Sequence, residues 1–170
     1  MPSPRLTFCS VTVFLRHVDQ FLFLQRPNNK KVDSGRVNGV GGKLENGENY
    51  LAAAVRETKE ETGYQISAQD MRLAGIARIQ GGYPEDWIVS FFTAQVKDKT
   101  PPIGWDTPHG QLFWTSSAEV LSQKYNLVDD IYIVLPIIEE AKNLFFLSTQ
   151  MDQNEKVAEY TLSLTPVSSW

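Results

Sequence analysis

Three glutamates, Glu57, Glu60 and Glu61, lie in a stretch from about Asn49 to Thr62 that reads as a helix stopped by Gly63. On a helix of 3.6 residues per turn they share a stripe about 100° wide. Leu51, Val55, Thr58 and Thr62, with Ala54 at the margin, form the expected apolar face, so the glutamates fall opposite or beside it. Ala53 lies on the acidic stripe and leaves space above it. Like charges at this spacing cost a helix about 0.2–0.5 kcal/mol per pair. A solvated acidic face is the ordinary explanation. The alternative is a hard-cation site, because Mg2+ takes oxygen ligands and is commonly shared between carboxylates and substrate phosphates.

The residues before the helix favour the second reading. Gly41-Gly42 reads as a strand-to-helix connection where backbone must approach a ligand closely, although a plain turn would also use two glycines. Lys43 could meet a phosphate, or could be an ordinary surface lysine. Glu48 sits where its charge suits the helix N-terminus, and Arg56 is placed to hold Glu48 or a neighbouring glutamate.

Together these residues resemble the Nudix hydrolase signature, G-x5-E-x7-R-E-U-x-E-E-x-G-U, with U a bulky aliphatic. Here it reads Gly42, Glu48, Arg56-Glu57-Thr58, Glu60-Glu61, Gly63-Tyr64, and all seven specified positions match. At background frequencies near 7% each, that coincidence is roughly a one-in-a-million event. Thr58 and Tyr64 depart from the aliphatic positions, which bears on how the helix seats and not on the chemistry. The resemblance implies an α+β fold, an α/β/α sandwich with a central mixed sheet. It also implies Mg2+, with Mn2+ as a substitute, held by Glu57, Glu60, Glu61 and the Gly41 carbonyl. Glu57 is in addition the implied general base, and Arg56 with Glu48 the supporting ion pair. The implied reaction is attack of water on phosphorus, giving two phosphate-ended products.

A weaker resemblance extends beyond the signature. The run from Gly35 to Lys43, and Asp129-Asp130 ahead of an apolar helix, look like segments of the oxidised-purine nucleoside triphosphatases. That resemblance implies base contacts by Asn38, Asp129 and Asp130. Two adjacent carboxyls can share a proton and offer a base edge both a donor and an acceptor. Either aspartate would equally serve as an N-cap for the helix that follows. Val37 and Leu127 stand where that subfamily carries tryptophan, so the base pocket must differ; Phe23, Tyr83, Trp87 and Trp105 are the available aromatics, each also explicable as packing. A further ligand position holds His109, with Asp106 and Glu85 as oxygen alternatives. The expected activity is hydrolysis of a nucleoside triphosphate, an oxidised purine such as 8-oxo-dGTP being the favoured base, to monophosphate and pyrophosphate. Other nucleoside diphosphate derivatives (ADP-ribose, a nucleotide sugar, a dinucleoside polyphosphate) or a non-catalytic nucleotide-sensing module are the alternatives.

The elements needed to hold these residues can be read around them. Leu6 to Arg16 and Phe21 to Gln25 flank a turn at His17-Gln20, and Arg26 to Asn38 is a long polar loop of the kind that carries function. Met71 to Gln80 and Trp87 to Val96 form a second hairpin around Gly81-Pro84, and Gln111 to Thr115 is a short strand. Ser116 or Ser117 caps a short helix over Ala118 to Gln123, and Val128 to Lys142 is helical with a break or kink at Pro136. Phe145 to Gln150 and Val157 to Leu164 make a last hairpin. One domain over residues 1–170 is expected. With 42% hydrophobic and 21% charged residues the composition is that of a globular chain, and a net charge of -4 without a dense basic run argues against gripping long nucleic acid. No apolar run reaches membrane-spanning length, and Leu6 to Leu15 is too polar for a signal-peptide core. The single Cys9, read as a buried thiol, excludes an internal disulfide and suits a reducing cytoplasm. The expected partner is a small nucleotide, bound by a monomer or homodimer.

Overall fold

A computed structural model describes residues 4–167. The alternating strands join into one ten-stranded mixed sheet. Its elements are β1 (Thr7–His17), β2 (Gln20–Gln25), β3 (Val37–Asn38), β4 (Val40–Lys43), β5 (Arg72–Gly81), β6 (Asp86–Gln95), β7 (Asp106–Thr107), β8 (Gly110–Ser116), β9 (Asn143–Met151) and β10 (Val157–Pro166). The order is β10-β9-β5-β6-β1-β2-β8-β7, with β3 on β2 and β4 on β1. All three expected hairpins form: Arg16 pairs with Phe21, Ile79 with Trp87, and Tyr160 with Thr149. Parallel pairings of β1 with β6 and of β5 with β9 make the sheet mixed.

Helices α1 (Tyr50–Thr62) and α3 (Ile131–Glu140) cover opposite faces. One core layer sets Ala53 and Ala54 of α1 against Val13, Leu15, Leu22 and Phe92. The other sets Ile131, Val134, Leu135 and Ile138 of α3 against Phe14, Phe23, Phe91 and Phe145. This is the expected sandwich. Between β8 and α3, Ser116 caps the one-turn α2 (Ser117–Glu119) by accepting from the Glu119 N–H, and the chain continues as a π turn over Val120–Lys124. The α3 helix runs through Pro136 from Ile131 to Glu140. No helix among the described residues is long and apolar enough to cross a membrane.

Three details differ from the sequence reading. Gly41 and Gly42 lie inside β4, opposite Thr12 and Val11, and not in a connection. Cys9 is half-buried. The α1 helix is rotated: Leu51 is 36% exposed, whereas Ala53, Ala54, Glu57, Thr58, Glu61 and Thr62 are buried. The small alanines and the threonines, not the bulky aliphatics, face the sheet. Close approach of helix to strand explains the preference, since a leucine on that face would hold them apart.

Candidate active site

The rotation of α1 carries Glu57 and Glu61 inward against β4. Asn49 caps the helix by accepting from the Ala52 N–H at 2.9 Å, and Gly63, with φ of 78°, ends it by donating to the Lys59 carbonyl. On β4, the Gly41 N–H donates to Glu61 Oε2 at 2.8 Å. A Cβ on Gly42 would stand 2.3 Å from Glu57 Oε1, so any side chain here would displace that carboxylate. Spacing on the helix and the missing side chain on the strand therefore make one cradle.

Arg56 braces that cradle. Its Nε and Nη2 each donate to Glu48 at 2.8 Å, its Nη1 donates to Glu57 at 2.8 Å and Glu60 at 3.1 Å, and Nη2 also reaches the Lys43 carbonyl at 3.1 Å. The paired contact has the fork geometry suited to a carboxylate. These hydrogen bonds hold the Glu48 carboxyl down at about 2. Glu57 moves the other way: burial raises it, against the pull of Arg56. Glu61 is pushed up to about 7, first by burial and against the Gly41 N–H, with Glu57 adding to the rise.

Glu57 and Glu61 line a cavity of about 340 Å³, within the range of roughly 300–1,000 Å³ usual for small-molecule sites. Glu60 does not line it; it is half-exposed and turned to Arg56. Among the described residues no three acidic, histidine or cysteine side chains already converge on one point. Arg56, Gly41 and His109 each draw a carboxylate their own way. The residues fit a divalent cation in kind, nevertheless. Glu57, Glu60, Glu61 and the Gly41 carbonyl offer only oxygen, and the Gly42 cradle sets backbone against the Glu57 carboxylate. None of the three candidates for a further ligand, His109, Asp106 and Glu85, lines the cavity; His109 approaches from outside it, with Nδ1 3.5 Å from Glu61 Oε1.

The other part of the cavity is apolar, walled by Val32, Ile79, Tyr83, Trp87, Val89, Phe91, Val128 and Met151. Asn38 borders it with Oδ1 taken by the Gly39 N–H at 2.7 Å, which leaves its NH2 free to donate. Asp130 ends it. That residue is 5% exposed, its Oδ1 has no partner, and it makes no cap hydrogen bond to α3. Its carboxyl is pushed up to about 7 by burial and by the neighbouring charge of Asp33. Asp129 turns away from the cavity and accepts from the Val157 N–H at 2.7 Å and Lys156 Nζ at 3.0 Å. Neither aspartate therefore acts as a side-chain cap. Lys43 reaches the rim with its ammonium over the Phe8 ring at 3.7 Å and the Trp87 ring at 5.1 Å, a cation–π seat. Of the four aromatics considered as base-stacking surfaces, Tyr83 and Trp87 line the cavity; Phe23 is core and Trp105 is 43% exposed elsewhere.

Two charged lining residues escaped the sequence reading. Arg26, just past β2, has a buried Nε without a partner and acts electrostatically on both Glu61 and Asp33, so it stands between the two parts. Asp33 sits in the long loop with φ of 51° and accepts from the Tyr83 hydroxyl at 2.9 Å. The polarity of the loop was the available signal, but the partner that fixes Asp33 comes from the β5–β6 turn.

Comparison with known proteins agrees with this architecture. The NUDIX domain model matches residues 6–135. A MutT protein from Bacillus halodurans superposes with a TM-score of 0.75 at 23% identity, over 91% of this chain and 97% of that one. A MutT protein from Methanosarcina mazei Go1 gives 0.65 at 21% identity, over 80% and 96%. The bifunctional NMN adenylyltransferase/ADP ribose pyrophosphatase of Francisella tularensis, solved with AMP and a manganese ion, gives 0.64 at 17% identity, over 82% of this chain and 43% of that one. No curated protein matches by sequence.

Proposed function

The chain belongs to the Nudix hydrolases, and from that premise we propose that it cleaves a nucleoside triphosphate to the monophosphate and pyrophosphate, with Mg2+ as the working cation. Nudix hydrolases act on nucleoside diphosphate derivatives and generally use divalent metal ions, so the proposal concerns the substrate, the ion and the residues. One observation supports it above others: a single cavity joins the glutamate cradle to an apolar compartment that ends in a buried carboxyl.

A divalent cation held by Glu57, Glu60, Glu61 and the Gly41 carbonyl would neutralise charge developing on the phosphates and acidify a bound water. Glu57, whose burial makes it a better proton acceptor, takes the proton as water attacks phosphorus. A new P–O bond to the water oxygen forms, the anhydride P–O bond breaks, and pyrophosphate leaves. Arg56 and Glu48 hold the cradle in register. Arg26, with its unpartnered Nε, and Lys43 at the rim meet the phosphate chain.

The base enters the apolar compartment, flanked by Tyr83 and Trp87, with the Asn38 amide and Asp130 reading its edge. Asp129 contributes by tying the start of β10 beneath Asp130. An oxidised purine is the favoured base. The ADP ribose pyrophosphatase name on the Francisella relative supports the second reading, another nucleoside diphosphate derivative such as ADP-ribose.

A product assay decides. Canonical and oxidised nucleoside triphosphates, ADP-ribose and dinucleoside polyphosphates are incubated with Mg2+ or Mn2+ and the products separated. Pyrophosphate and monophosphate from a triphosphate are expected. AMP and ribose phosphate from ADP-ribose alone would replace the first reading with the second.

A further inference from the structure

The cavity is read at its far end by two carboxyls, but not by the pair adjacent in sequence. Asp129 has given both its oxygens to Val157 and Lys156, whereas Asp130 lines the cavity with Oδ1 unpartnered. The second carboxyl there belongs to Asp33, which lines the same compartment. We propose that Asp33, fixed by Tyr83, is a specificity-determining residue that together with Asp130 binds the amide-and-amine edge of a guanine-type base. The inference rests on the reading of this cavity as a nucleotide site.

The chemistry follows from which carboxyl can keep a charge. Asp33 Oδ1 accepts from the Tyr83 hydroxyl at 2.9 Å and lies 3.8 Å from Arg36 Nη1, and Arg26 adds positive charge. These neighbours favour its ionised form against a burial that raises it. Asp130 has only its own and the Ile131 backbone N–H to favour its charge, and Asp33 repels that charge, so of the two carboxyls Asp130 is the more readily protonated. An ionised Asp33 presents two acceptor oxygens, which match adjacent N–H donors on a ring amide and an exocyclic amine. A protonated Asp130 presents the donor that the neighbouring ring carbonyl needs. Guanine carries that donor-donor-acceptor edge. Hypoxanthine lacks the amine, and cytosine presents the complementary donor-acceptor-acceptor edge on a smaller ring.

The positive φ of Asp33 is a conformation non-glycine residues seldom adopt, and it persists where surrounding contacts fix it. Those contacts come from distant strands. Tyr83 holds the carboxylate, while Arg36 in the same loop pairs with Glu155 at 3.2 Å and with the Asn154 carbonyl at 3.4 Å. The loop is anchored to two hairpins with one carboxylate facing inward.

Calorimetric binding of guanosine, inosine and cytidine monophosphates, without divalent metal, tests the assignment independently of hydrolysis. The wild type is expected to prefer guanosine to inosine monophosphate by about tenfold, since an unmatched buried polar partner discriminates at least that well. In D33N that ratio falls towards one, with cytidine monophosphate moving by less than about 2-fold. If D33N does not fold, Y83F is measured instead and is expected to lose part of the same ratio with an unchanged melting temperature. Equal weakening of all three ligands, an unchanged guanosine-to-inosine ratio, or no binding by the wild type would each overturn the proposal. A hydrolytic site placed wrongly would show itself separately, as Mg2+-dependent pyrophosphate release that survives E57Q.

Discussion

The two ends of the cavity handle buried carboxylates in opposite ways. At the α1 end the acids are braced: Arg56 alone contacts Glu48, Glu57 and Glu60, and the Gly41 N–H serves Glu61. At the α3 end Asp130 Oδ1 is left without a partner beside an apolar wall, Asp33 being the carboxylate held there by Tyr83. A braced carboxylate is positioned charge, ready for a cation and for phosphates that arrive with it. An unbraced one is poised to hold or release a proton. On the function proposed above, chemistry and selectivity are separated in space and in electrostatic treatment.

The sharpest way to break this comparison is to disable the braced end alone. Glu57→Gln is expected to lower Mg2+-dependent pyrophosphate release by about 10²–10⁴-fold, and Glu60→Gln by a comparable factor, while nucleoside monophosphate affinity without metal holds. Gly42→Ala is expected to behave like Glu57→Gln, because its Cβ would stand 2.3 Å from Glu57 Oε1. Retention of full activity by Gly42→Ala would mean Glu57 works from another position. A chelator should abolish release, with Mg2+ or Mn2+ restoring it.

At the other end a smaller effect of different kind is expected. Asp130→Asn should change the ratio of kcat/KM between purine and pyrimidine triphosphates by about tenfold, with a modest change for the poorest substrate. An equal loss for every base would make Asp130 structural. Stability against pH sharpens the same contrast. Glu48, depressed from 4.5 to about 2, contributes stability that is present above 4.5 and lost as pH falls towards 2, so Glu48→Gln should flatten the acid limb of chemical denaturation. Asp130, raised from 3.8 to about 7, has the reverse sign: its contribution is complete below 3.8 and is lost as pH rises to 7. Asp130→Asn should therefore gain relative to wild type across that interval. The smallest effect is expected at Leu51, where Leu51→Ser should shift stability by less than about 0.5 kcal/mol, since the side chain lies outside the core.

That last expectation marks where the sequence misleads. Arg56, Glu57, Glu60 and Glu61 were legible because helical spacing over Tyr50–Thr62 imposes their relative geometry, whatever surrounds them. The facing of α1 was not, because Leu51 and Val55 outweigh alanines and threonines in any count of apolarity, although Ala53, Ala54, Thr58 and Thr62 make the close packing. All three hairpins followed from alternation and turn residues, whereas β4 did not, since two consecutive glycines carry no strand signal. Asn38 and Asp130 were named and line the cavity. Arg26 and Asp33 were not, because their surroundings come from residues far along the chain, and Asp129 looked equivalent to its neighbour until Val157 and Lys156 were seen to occupy it.

The ties between the loop at Asp33–Arg36 and the hairpin at Asn154–Val157 also set an order of events during synthesis. The residues of the glutamate cradle, from β1 to the end of α1, leave the ribosome early and are close together in the chain. The apolar compartment needs Tyr83, Asp130, Met151 and Glu155, and so cannot close until the last hairpin is made. A nascent chain arrested before β9 would carry the glutamate cradle without the compartment that adjoins it.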